Sequence, residues 1–200
     1  MMQNTGVPGT KPPRRTRAAA CCVAALAVSL AACANGSRIN HFDHGRYAGS
    51  TALAAAPDGE MALAVYGSPL AGGSGDELAA AVANGLAGTH VDHRTVFVPT
   101  NNPDLTGYRT VVVFGPSTPE TVCQVASNEG LATASPAPMT AAFCYGGEAL
   151  SYVSGQIAEL SNADDPALKA QMQITGFTLF PPENPHYVSD CQADVPICRD

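Results

Sequence analysis

The chain's absences narrow its reading first. No apolar run is long enough to cross a hydrocarbon core about 30 Å thick, which takes roughly 20 helical residues. The best candidate, residues 18–30, falls short. Positive charge is scarce over most of the chain. All seventeen acidic residues follow Cys33, but only six of the ten basic ones do: Arg38, Arg46, Arg94, Arg109, Lys169 and Arg199. That part of the chain is near −11, against −7 for the whole, and such a surface is repelled by phosphate backbones. Nucleic-acid binding is therefore not expected, and electrostatic attachment to anionic lipid is poorly served as well. Several chemical signatures are also missing. No Cys-x-x-Cys follows Cys33, so zinc-ribbon spacing is absent. Gly72-Gly73-Ser74-Gly75-Asp76 fails the Gly-x-Ser-x-Gly pattern at its last position. Ser-x-x-Lys is absent because Pro166 stands three residues before Lys169. No internal repeat suggests a solenoid.

What is present begins with Lys11, Arg14, Arg15 and Arg17, followed by the uncharged Ala/Val/Leu run. This is the charged and apolar pattern of an export signal. The run ends in Leu30-Ala31-Ala32-Cys33, an aliphatic residue and two small ones before a cysteine. That ending resembles the lipobox of bacterial lipoproteins. The resemblance implies that residues 1–32 are removed, that the Cys33 thiol is lipidated, and that the protein is held on a membrane through this N-terminal lipid. Stable anchoring by acylation takes more than one chain. Ala34, rather than an aspartate, follows Cys33, which by family analogy favours the outer membrane. The alternative is an ordinary secretory signal, since Ala-x-Ala sites lie nearby. Arg14-Arg15 also invites a twin-arginine reading, although Thr16-Arg17-Ala18 lacks the usual bulky apolar residue.

Cys21 and Cys22 would leave with the signal, and Cys33 would carry the lipid. Cys123, Cys144, Cys191 and Cys198 remain. An even count in an exported chain argues for two disulfides, with three possible pairings. The favoured pairs are Cys123–Cys144, tying a helix to a strand, and Cys191–Cys198, holding the C-terminal tail. Free buried thiols are the alternative.

Residues 33–60 read as a flexible tether, small and polar with no sustained apolar period. The globular domain is then 61–200. Strands are expected over 61–66, 90–98 and 108–114. Ser74-Gly75-Asp76-Glu77 fits a capping box opening a helix that presents Leu78, Ala81, Val82 and Leu86 on one face and ends at Gly85 or Gly88. Thr118 and Pro119 can start a second helix carrying Val122, Cys123 and Val125. Residues 139–145 and 149–157 flank Gly146-Gly147 and read as a β-hairpin, with a helix from Glu148 as the alternative. Asp164-Asp165-Pro166 starts a last helix, whose apolar side is Leu168, Met172, Ile174 and Phe177 and which Pro181-Pro182 stops. The order β-α-β-β-α-β-β-α predicts a single small α+β (or α/β) domain, a mixed sheet packed with about three helices. Tyr66-Gly67-Ser68-Pro69, Ala142-Phe143-Cys144 and Phe180-Pro181-Pro182-Glu183-Asn184-Pro185 are similar to segments of uncharacterised small bacterial envelope lipoproteins. That resemblance implies no activity.

Two segments invite chemistry. His41-Phe42-Asp43-His44 and His90-Val91-Asp92-His93 share His-x-Asp-His, and imidazole with carboxylate suits transition metals. Yet His90 and His93 on a strand would point to opposite faces, and the first copy falls in the expected tether. Gly67 to Ser74 has phosphate-loop glycine spacing, but Gly73 stands where the lysine should be, so a strand-to-helix loop is expected. No catalytic residue, cofactor or metal site is therefore assigned. The expected function is that of a lipid-anchored envelope protein, a binding or scaffolding module for an envelope protein or cell-wall material. A small envelope hydrolase is the competing class, and metal binding through the histidine motifs is weaker.

Overall fold

The computed structural model describes residues 36–70, 74–101, 106–128, 131 and 136–186. Six strands and three helices lie among them. In order these are β1 (Arg38–Asp43), α1 (Gly49–Ala54), β2 (Glu60–Tyr66), α2 (Gly75–Leu86), β3 (Val96–Pro99), β4 (Tyr108–Phe114), a 3₁₀ turn (Val122–Gln124), β5 (Ala137–Tyr145), β6 (Glu148–Ile157) and α3 (Pro166–Leu179). The strands form one mixed sheet in the order β1-β6-β5-β4-β2-β3. β2 runs parallel to both β3 and β4, and the remaining pairs are antiparallel. The α+β class holds, and from β2 onward the expected succession of elements holds too, with a 3₁₀ turn in place of the middle helix.

Local chemistry accounts for the clearest elements. Ser74 accepts from the Glu77 N–H at 3.1 Å, and the Glu77 carboxylate returns to the Ser74 N–H, so α2 opens with a complete capping box. Asp165 caps α3 by accepting from the Ala167 N–H at 3.0 Å, with Pro166 in the first turn where no N–H is needed. β5 and β6 are joined through Gly146-Gly147, with Tyr145 opposite Glu148. Gly146 alone of the two takes a positive φ, as the first central residue of a type II′ turn does.

The two faces of the sheet are covered differently. All three helices contribute to one face, where Tyr47, Met61, Leu63, Leu78, Phe114, Phe143, Met172 and Leu179 form the main core. Glycines set the approach of α2 to α3: a Cβ on Gly85 would lie 2.5 Å from the Met172 Cβ, and one on Gly176 would lie 2.1 Å from the Thr89 hydroxyl oxygen. The opposite face carries a smaller cluster of Ala64, Tyr66, Val111, Val113, Ala142 and Cys144, closed by Val122 and Cys123 of the 3₁₀ turn.

Several expectations are corrected. The segment read as a tether is part of the fold from Arg38 onward. β1 pairs antiparallel with β6, while Tyr47 and Ala52 are fully buried in the main core. Polar composition misled because β1 is an edge strand with one ladder and mostly exposed side chains. Residues 90–95 form turns rather than a strand, and β3 begins only at Val96. The helix expected after Thr118 is a single 3₁₀ turn. In α3, Leu168 and Met172 face the core as expected, but Ile174 and Phe177 face solvent at 55% and 58% exposure. Thr175, Gly176 and Leu179 take the inner stripe instead.

Candidate functional site

The residues singled out in the sequence fall into three places. Cys33, Cys191 and Cys198 lie outside the described residues, as do the signal and the start of the tether. Cys123 and Cys144 are joined in a disulfide. It links the 3₁₀ turn, rather than a full helix, to β5 and pins the covering segment onto the small-core face. Gly67, at the start of the glycine-rich loop, has φ +69 and donates its N–H to Asn128 Oδ1 at 2.7 Å. A Cβ there would collide with the Phe114 carbonyl, so its glycine is required by a close backbone approach.

The two histidine motifs are separated in role by their surroundings. His90 is fully buried. Its Nε2–H donates to the Ala52 carbonyl, and its Nδ1 accepts from the Asp92 N–H and the Thr95 hydroxyl. Burial holds its pKa below the ordinary histidine value, although the Ala52 and Asp92 hydrogen bonds oppose that shift. Its ring lies against Phe97 and Phe180. This is a neutral imidazole with both nitrogens spent on holding α1 to the turn before β3. His93 is exposed and donates to the Gly88 carbonyl at 2.9 Å.

The first motif meets the other end of the described chain. His44 is buried at 3% exposure, and its Nε2–H donates to the Thr178 carbonyl in the last turn of α3. Helix ends leave such carbonyls without intrahelical partners, and a histidine N–H suits the negative end of the helix dipole. Two of the carbonyls that follow are taken as well, Leu179 by the Ser151 hydroxyl and Pro181 by the Tyr47 hydroxyl. Asn184 then donates back to the carbonyls of both His44 and Tyr47, at 2.9 and 2.7 Å. His186 Nε2 lies 3.1 Å from Asp43 Oδ1, which also accepts the His44 N–H. Residues 43–47 and 178–186 thus form a hydrogen-bonded clasp around the end of α3.

Sequence reasoning identified Asp43 and His44 but missed Tyr47, Asn184 and His186, which lie more than 130 positions away from their partners. Gly155 was a usable signal. A glycine inside a strand often marks a close backbone approach or bulge, and a Cβ there would meet the Arg38 carbonyl of β1 at 2.1 Å.

Chemically, the clasp holds a carboxylate beside an imidazole, with His44 Nδ1 left without a hydrogen-bond partner. No serine hydroxyl or free thiol hydrogen-bonds a histidine among the described residues. The Thr95–His90 pair, the nearest thing to an activated hydroxyl, is sealed in the core. No group of three His, Cys, Asp or Glu side chains among the described residues could hold a metal ion. A cleft of about 350 Å³ between α2 and α3 is lined by Asn84, Asp164, Asp165 and Lys169. One of its two carboxylates, Asp165, is already committed to the N–H groups of Ser161 and Ala167. No family model, curated protein or solved structure matches the chain.

Proposed function

We propose that this is a lipid-anchored cell-envelope protein, attached through Cys33 and facing the periplasm, with the outer membrane favoured. Its small α+β domain binds or positions an envelope protein or cell-wall material without chemistry of its own. The observation that carries this reading is the Leu30-Ala31-Ala32-Cys33 ending of the basic-then-apolar N-terminal run. The described domain adds where the candidate side chains are committed. Within it, His90 and His93 bond backbone carbonyls, Asp165 caps α3, and Cys123 and Cys144 are joined in a disulfide. The anchor is tested by fractionating cells that express wild type or Cys33→Ala, with mass spectrometry of the N-terminus. Membrane-bound wild type with an acylated Cys33 and a released variant are expected. A wild-type chain that starts elsewhere and carries no lipid overturns the reading.

A further inference from the structure

We infer that the domain lies on the membrane through an apolar stripe formed by Phe42, Ile174 and Phe177, with the acyl region of the bilayer as its occupant. This inference rests on the anchor at Cys33 proposed above and names the face that the anchor turns toward lipid. The three residues are 51%, 55% and 58% exposed, as open as Leu53, Val96 and Tyr145 elsewhere on the domain, and what sets them apart is their place beside the anchored strand. Their neighbourhood follows from the register and the clasp. Phe42 stands opposite Val153, a member of the main core, so it projects from the edge strand on the helix side of the sheet. Its ring packs on His44 with centroids 5.6 Å apart, and His44 in turn bonds the Thr178 carbonyl, next in the chain to Phe177. Ile174 lies one turn before Phe177 on α3, close enough for the two to form one surface. Ile174 and Phe177 on the outer side of α3 and Phe42 at the β1 edge thus flank the same clasp.

The length of chain between the anchor and the fold decides what can cover this stripe. Cys33 precedes the first residue of β1 by five positions, a reach of at most about 18 Å. A domain of this size has a radius of gyration of about 15 Å and a diameter near 40 Å. A leash shorter than the body it holds keeps the attached end at the bilayer, and here that end is the strand bearing Phe42. The opposite edge, β3, is then turned away. Contact would be apolar rather than electrostatic, since the chain after Cys33 carries a formal charge near −11. Exposed aromatic and aliphatic side chains at an interface beside an acyl anchor add the second membrane signal that stable attachment needs.

The chain has no tryptophan, so a single introduced indole reports its own surroundings without background. Full-length protein is purified from membranes with its native N-terminus, which is checked by mass spectrometry. It is then reconstituted into phosphatidylethanolamine–phosphatidylglycerol vesicles with or without brominated acyl chains. Phe42→Trp and Phe177→Trp should emit at shorter wavelength and lose most of their emission to the brominated lipid. Val96→Trp, at a position on the far edge that is equally exposed in the free domain, should do neither. Equal quenching at Val96→Trp, or none at Phe177→Trp in acylated protein, overturns the facing while leaving the anchor intact. A blue shift without bromine quenching assigns the stripe to a second copy or another protein and likewise overturns it. Protein recovered without lipid on Cys33 overturns the anchor, and the facing falls with it.

Discussion

The two faces of the sheet are closed by different physics. On the helix face, Ala52 of α1, long side chains from α2 and α3, and Tyr47 pack over the strands, and the helices approach through Gly85 and Gly176. On the other face a loop with one 3₁₀ turn supplies, among the described residues, Val122 and Cys123 to the buried cluster, with Val125 and Leu131 packed against it. A loop buries little apolar area and leaves its backbone groups in need of partners. Here the covering segment is held by the Cys123–Cys144 bond and by Arg109, itself 1% exposed, whose guanidinium donates to the Cys123 and Gly107 carbonyls. A face closed by packing should respond to lost volume, and a face closed by a staple should respond to reduction. The ionisable groups differ in the same sense. His90 under the helix face titrates, whereas an arginine stays charged across the accessible range.

The largest effect is expected at the helix face. Tyr47→Ala removes a fully buried ring packed on Phe143 and the hydroxyl that satisfies the Pro181 carbonyl. Truncations of buried aromatics cost about 3–5 kcal/mol, and the denaturant midpoint should fall accordingly. A negligible loss would show that residues 38–54 rest on the domain without contributing to it.

Replacing both Cys123 and Cys144 with Ala should cost about 3 kcal/mol, the usual range for a cross-link of this loop size. The sharper reading is its location. Hydrogen exchange should rise over residues 117–128 while α2 and α3 remain protected. Uniform loss of protection would mean that the two faces are one cooperative unit.

Smaller still is the pH response of the helix face. With its folded pKa held below its unfolded value, His90 binds a proton more readily in the unfolded chain. The contribution is fully present above about pH 6.5 and is lost as pH falls toward the folded pKa, with a slope of up to about 1.4 kcal/mol per pH unit for one proton. Urea midpoints measured from pH 7.5 down to 5 should decline, and His90→Gln should flatten that decline whatever its effect at neutral pH. The same flattening in the double-cysteine variant would break the distinction between the faces.

The smallest change is expected from Ser74→Ala, which removes an exposed cap from α2. Loss of such caps costs about 1 kcal/mol, and Ser74→Asp should recover most of it.

Elements whose cause lies within a few neighbouring residues were legible from composition and spacing alone. The capping box at Ser74 and Glu77, the Asp165-Pro166 start of α3, the Gly146-Gly147 hairpin and the apolar run of β4 all carry their reason locally. So did the Cys123–Cys144 pair as one of three permitted pairings, and the order of elements from β2 onward. Tertiary structure decided whatever depends on a distant partner. β1 is polar and exposed along most of its length, and it exists as a strand because β6 offers it a ladder with room at Gly155. The apolar pattern of α3 admitted Ile174 and Phe177 as readily as Thr175 and Gly176. The close approach of α3 to Thr89 selected the smaller pair for the inner face. His44 and His90 share a motif, yet one caps a helix end and the other bridges α1 to a turn, because a polar side chain takes its role from whichever backbone groups the fold leaves unpaired beside it.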